Sequence, residues 1–239
     1  LVDSRVALVK GYGVDRISMG VQTFNNELLK ILGRGHVADD VDMAIANCKK
    51  HGIEDINVDL MFSLPKQTMD ELYDYMTKGT ELPDKPVLIT FDDGYIDNYK
   101  YAFPILKEYN MKATLFMITS AFGESRFVNV EQLKEMQANG IDIQSHTVNH
   151  KDLRSMSLDQ ARDELIGSKA VLEDRMKHPV RYIAYPGGFS NKDIDRIAEE
   201  SGYRMAFTVQ AGNVEPGQDL FNLPRQAVFF NDTPFENFW

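Results

Sequence analysis

The chain of 239 residues is 43% apolar and 26% charged with a formal net charge of −10, a globular composition with mass enough for one sizeable core. The acidic excess covers both the first 80 residues and the remainder, so neither part offers the basic surface that a nucleic-acid partner requires. Cys48 is the only cysteine, which excludes an intrachain disulfide, a thiolate zinc cluster or a three-cysteine iron–sulfur site built from these residues.

No apolar run approaches the ~20 residues of a membrane span. The opening "LVDSRVALVKGYG" lacks the charged-then-apolar layout of a signal peptide. It also starts without Met inside a helical pattern, so the sequence reads as a piece of a longer chain and leaves compartment and oligomeric state open.

In chain order, apolar β-prone runs fall at Arg16–Gln22, Ile56–Leu64, Val87–Phe91, Ala113–Thr119, Ile141–His146, Arg181–Tyr185, Met205–Val209 and Leu223–Phe230. Helical spacing fills most of the intervals. Asn129 with Gln132 predicts a capping box for a helix stopping at Gly140. Ser157 with Gln160 predicts another, with Ala161, Leu165, Ser168 and Leu172 on one face, and Ser190 is expected to cap a helix ending at Gly202. Eight strands alternating with helices in this length predict an α/β fold of the (βα)8, TIM-like barrel class. An open doubly wound sheet is the runner-up, weakened because no G-x-G-x-x-G follows a strand. The one seam is "TKGTELPDKP", Thr77–Pro86, so a single domain over 1–239 is expected, with a change of ancestry near residue 80.

Two carboxylates, Asp92 and Asp93, stand where the run "VLITF" gives way to Gly94. Neighbours on a regular strand point to opposite faces; for both to converge the chain must kink, and Gly94 supplies that freedom. "SHTVNH" places His146 and His150 at i and i+4, which a helical turn would bring to one side. Two imidazoles and one carboxylate form a three-ligand set with open positions, the pattern of a catalytic divalent metal. Asp93 is then the third ligand and Asp92 the base beside it. Alone, an Asp-Asp-Gly is commonly a turn and an H-x3-H a pair of structural histidines; both falling at strand C-termini, where barrel active sites gather, favours the site. In "YIAYPGGFSN", Pro186 fixes the backbone while Gly187 lets an N–H approach a developing oxyanion. His36, His51 and His178 have no comparable company and read as structural or solvent-facing.

"ITFDDGYIDN", "QSHTVNHKDL" and "IAYPGG", in this order, resemble the successive motifs of the NodB-homology polysaccharide deacetylases, carbohydrate esterase family 4, over about residues 82–230. The resemblance implies that Asp92 is the general base and that Asp93, His146 and His150 hold a divalent metal, zinc with cobalt or nickel as alternatives. It also implies that the N–H after Pro186 stabilises the oxyanion as an N-acetyl group is hydrolysed from an amino-sugar polymer. The chain departs from many members in two places. Ala184 stands where an Arg orients the base, and no histidine follows His178 to serve as acid. Arg225 in "LPRQAV" is the candidate for the orienting role.

The stretch "GVDRISMGVQTFNNELLKILGRGHVADD…VDLMFSLPKQT" instead resembles the coproporphyrinogen oxidase and HemW branch of radical SAM enzymes, over about residues 1–78. Gln22, Arg34 and Asp59 match positions that contact S-adenosylmethionine in that family, but no cysteine loop is present for its cluster, so no iron–sulfur cofactor and no radical chemistry are expected. Two βα units from one barrel and about six strands from the other predict a chimera joined near residues 78–86. A catalytically silent scaffold of recombined or designed origin is the alternative to the deacetylase.

Overall fold

In a computed structural model of the protein, residues 2–22, 26, 29, 35–60, 68–82 and 86–228 are described, with the backbone alone for Gln22 and residues 57–60. The chain divides into two compact units, Leu1–Pro65 and Lys66–Trp239.

The first unit contains α1 (Asp3–Gly11), β1 (Arg16–Gln22), α2 (Ala38–Lys50) and β2 (Asp55–Leu60). β1 and β2 pair in parallel with Ile17 opposite Ile56. Val6, Cys48 and Ile53 form its small core. Asp3 ties the two helices, accepting hydrogen bonds from Lys50 Nζ and at His51 Nε2 at 3.0 and 2.9 Å, so His51 has the structural place expected of it. Of the residues matched to S-adenosylmethionine positions, Arg34 and the side chains of Gln22 and Asp59 lie outside the described residues.

The second unit is a parallel α/β layer. Its elements are α3 (Met69–Lys78), β3 (Thr90–Phe91), α4 (Phe103–Glu108), β4 (Ala113–Met117), α5 (Val130–Ala138), β5 (Ile141–Ser145), α6 (Leu158–Met176), β6 (Tyr182–Ala184), α7 (Lys192–Glu200) and β7 (Met205–Phe207). The five strands pair in sequential order, all parallel, and the sheet curls into half a barrel.

Alternation along the strands sorts side chains to two faces. Leu115, Met117, Ile183 and Ala206 face the core built with α4 to α7, joined there by Leu133, Leu165, Leu172, Ile194 and Ile197. Phe116, Tyr182, Ala184, Met205 and Phe207 face the other way, against Met69 and Leu72 of α3 and against Leu223.

Two capping boxes form where the sequence places them, Asn129 with Gln132 and Ser157 with Gln160. A third, Thr68 with Glu71, opens α3. Asn191, not Ser190, caps α7: its Oδ1 accepts from the N–H groups of Asp193 and Ile194 at 3.1 and 3.0 Å.

The α/β, barrel-like class is the one expected, but eight strands do not sum into one sheet among the described residues. β1 and β2 form a two-stranded sheet of their own. The run beginning at Leu223 makes a single bridge, to Phe207. Pro224 follows directly and has no N–H to extend a ladder.

Candidate metal centre and base

The site lies at the C-terminal ends of the strands, on segments that continue β3, β5 and β6. The chain does not wait for Gly94 to turn: Asp93 itself has φ 71°, and Gly94 follows at 85°. Two successive left-handed residues swing the Asp93 carboxylate off the strand direction, which is how adjacent carboxylates reach one place. No larger residue fits at Gly94, where an added Cβ would lie 2.1 Å from Met117 Sδ.

After β5, residues 146–150 are not helical, contrary to the expectation from their i, i+4 spacing. Thr147 and His150 take left-handed φ values of 66° and 53°, and the His150 N–H donates to Thr147 Oγ1 at 3.1 Å. This bend, rather than a helical turn, brings the imidazoles together with ring centres 4.7 Å apart. Three of the non-glycine residues at positive φ are therefore Asp93, Thr147 and His150, and such strain, about 1–3 kcal/mol each, gathers at functional sites.

One ligand atom from each of Asp93, His146 and His150 lies within 4.8 Å of the others. Asp93 Oδ1 is 3.4 Å from His146 Nε2 and 3.3 Å from His150 Nε2, and it is buried without a hydrogen-bond partner. His146, 2% exposed, places Nδ1 2.7 Å from the Ala184 carbonyl oxygen. A carbonyl can only accept, so Nδ1 carries a proton, and the tautomer that this selects for a metal ligand turns the Nε2 lone pair toward the carboxylate. A lone pair facing an orphaned anionic oxygen is satisfied by a cation, so the donor set fits a divalent metal. Partial burial, then His146, pushes the His150 ring below its ordinary value, which keeps its nitrogens free for a metal.

Arg225 comes from far along the chain to Asp92. Its Nη1 donates to Asp92 Oδ1 at 2.7 Å and its Nη2 to Oδ2 at 2.6 Å. The guanidinium is aimed by two further acceptors, the Thr208 carbonyl at 2.9 Å and Thr90 Oγ1 at 3.2 Å. Thr90 and Asp92, two residues apart, share a face of β3 and its continuation, so one Arg engages both. Ala184 leaves no side chain to do this from β6. Gly187, at φ 63° in the turn after β6, has an N–H with no acceptor among the described residues.

Sequence reasoning missed Glu164. Buried on α6, its Oε2 accepts from the N–H groups of Val148 and Asn149 at 3.0 and 2.8 Å, while Asn149 Nδ2 donates to Oε1 at 2.6 Å. It fastens the bend between the histidines. The signal was present: position 164 falls on the apolar face marked by Ala161, Leu165 and Ser168, where an unpaired acid has no place. His178, by contrast, pairs with Asp142 at 3.4 Å away from this cluster.

A parallel half-barrel with two histidines and a carboxylate clustered at its C-terminal strand ends, and an arginine-clamped acid next to them, defines a class of metal-binding α/β proteins. Within it, the family model described as polysaccharide deacetylase matches residues 79–206, and the chain belongs to that family. A model for the radical SAM superfamily matches residues 1–78.

Among relatives, YxkH of Bacillus subtilis is 39% identical over 153 residues, 64% of this chain and 55% of that protein. The poly-beta-1,6-N-acetyl-D-glucosamine N-deacetylase of Staphylococcus epidermidis is 33% identical over 178 residues, 67% of this chain and 60% of that protein. Thus the chain spans somewhat over half the length of these relatives. Among solved structures, the Streptococcus pyogenes deacetylase PplD in complex with acetate superposes with TM-score 0.68 at 36% identity, covering 74% of this chain and 77% of that one. IcaB from Ammonifex degensii gives TM-score 0.63 at 30% identity, over 69% and 77%.

Proposed function

We propose that this chain carries a metal-dependent hydrolase that removes N-acetyl groups from an amino-sugar polymer. The observation that carries this reading is the meeting of Asp93, His146 and His150 ligand atoms within 4.8 Å beside an Asp92 clamped by Arg225. The names of relatives that act on poly-N-acetylglucosamine and the acetate in the PplD structure support the substrate class.

Asp93, His146 and His150 would hold the ion, zinc being the first choice for two imidazoles and one carboxylate with open positions. A divalent ion held there would supply Lewis acidity for the acetyl carbonyl and for a water. Asp92 takes the proton from the attacking water as general base. Arg225 fixes the orientation of that carboxylate through two parallel hydrogen bonds. The free Gly187 N–H is the donor to the developing oxyanion.

The abutting matches of two family models, ending at 78 and starting at 79, support a fusion of two ancestries near residues 78–86. Cys48 as sole cysteine argues against radical chemistry by these residues.

The test is acetate release from a β-1,6-linked N-acetylglucosamine oligomer, which should require added Zn2+ or Co2+ and disappear in Asp92→Asn. A metal-loaded protein that releases no acetate would leave the silent scaffold as the better description.

A further inference from the structure

The segments leaving His150 and Pro186 meet in a pair of side chains that these hydrolytic roles do not use. Arg154 stands four residues after His150, in the short turn Leu153–Ser155 anchored by the fully buried Leu153. Phe189 stands three residues after Pro186. The guanidinium carbon of Arg154 lies 4.2 Å from the centre of the Phe189 ring, within cation–π range. Asp152 fixes the guanidinium with both oxygens, accepting from Nε at 3.0 Å and from Nη2 at 2.8 Å, and Asp152 Oδ1 also accepts from the Arg154 N–H at 3.0 Å. Of the five donors of a guanidinium, the other three have no protein acceptor among the described residues.

Phe189 is 47% exposed although its ring is held in place. On one side it rests against Gly187, where an added Cβ would lie 2.9 Å from ring Cδ2 and Cε2. The ring therefore abuts the turn that carries the N–H assigned above to the oxyanion. A rigid half-exposed ring and a planar cation with unspent donors, next to a reacting centre, match the two needs of a pyranose: apolar C–H surface to cover and oxygens to accept hydrogen bonds.

Resting on the deacetylase reading, we propose that Arg154 and Phe189 form a subsite for the sugar unit adjoining the one being deacetylated. The unit it takes is uncharged, because Asp152 already neutralises Arg154 and the chain carries a net charge of −10, which disfavours an anionic polymer.

The metal-loaded full chain is compared on monomeric N-acetylglucosamine and on its β-1,6-linked pentamer. In Phe189→Ala and Arg154→Gln, KM for the pentamer should rise about tenfold, the loss of one charged hydrogen bond or its equivalent. Values of kcat and metal content should hold, and the monomer should suffer far less; Arg154→Lys, lacking the fork, should recover only part. Calorimetry with the pentamer in an Asp92→Asn background, where turnover is slowed, should show the same weakening. Equal losses on monomer and pentamer, or unchanged pentamer affinity in folded variants, would overturn the subsite. Tighter binding of a carboxylated oligosaccharide would overturn its assignment to an uncharged unit. Should the parent protein release no acetate, the deacetylase reading falls while the calorimetric comparison still decides this one.

Discussion

Asp92 and Asp93 are chemically identical and adjacent, yet the fold gives them different neighbours. Asp92 faces a guanidinium that neutralises it in place, while Asp93 faces two imidazole nitrogens and keeps an oxygen without a donor. Removing the proton acceptor in Asp92→Asn should lower kcat by about 100-fold or more while metal content stays at parent level. Arg225→Met leaves the Asp92 carboxylate untethered, and kcat should fall by roughly tenfold to a hundredfold with KM little changed, since a misplacement of ~1 Å suffices for that. A loss confined to KM would move Arg225 from aligning the base to binding substrate. His150 belongs to the same scale. Its ring is depressed below the usual histidine value, so the unfolded chain binds a proton more readily than the folded one. In the metal-free protein, stability should therefore be full above pH ~6.5 and decline as pH falls through the lower folded value. NMR titration of the ring and denaturant midpoints across that range check both the sign and the residue.

Between β5 and α6, the local signals and the tertiary ones part company. The Ser157 cap and the apolar face of α6 start the helix where periodicity places it. The bend before it has no propensity of its own, and its left-handed residues Thr147 and His150 are held by Glu164 reaching back from α6 to the Val148 and Asn149 N–H groups. Ser168 repeats the device one turn on, its hydroxyl 2.7 Å from that of Ser145, which in turn accepts from the Thr147 N–H. Glu164→Gln can keep one oxygen on the two backbone N–H groups but sets its NH2 against the Asn149 Nδ2 donor, so metal affinity should drop about tenfold to a hundredfold, the usual effect of losing an outer partner of a ligand. Dialysis against a zinc indicator measures it, and an unchanged affinity would show that the bend is fixed without Glu164.

At the scale of the molecule, family boundaries and folding units do not coincide. The radical SAM match runs to residue 78, but the second unit begins at Lys66 and takes α3 as part of its interior. Met69 and Leu72 bury against Phe116, Tyr182 and Phe207, and Asp70 bonds the Tyr182 hydroxyl and the Arg181 guanidinium at the start of β6. A helix from the segment expected to contribute strands thus covers one face of the half-barrel. Leu72→Ala should cost about 2–4 kcal/mol of stability in urea unfolding, whereas a boundary at residue 79 would make that substitution nearly neutral. A metal held by the folded site alone should make the unfolding temperature climb with Zn2+ concentration and fall back with a chelator.

The sequence alone determined most of the strand and helix periods, two capping boxes, and the candidate ligand trio and candidate base, because hydrophobic spacing and a distinctive set of charged residues at strand ends are local properties. Only the tertiary structure decided that residue 93 itself makes the kink and that the histidines converge through a strained bend. It also set Glu164 beneath that bend, brought Arg225 across 133 positions to Asp92, and placed α3 on the sheet. Each of these depends on contacts between segments distant in the chain, and no local pattern encodes which distant partner will supply the missing hydrogen bond or fill the exposed apolar face.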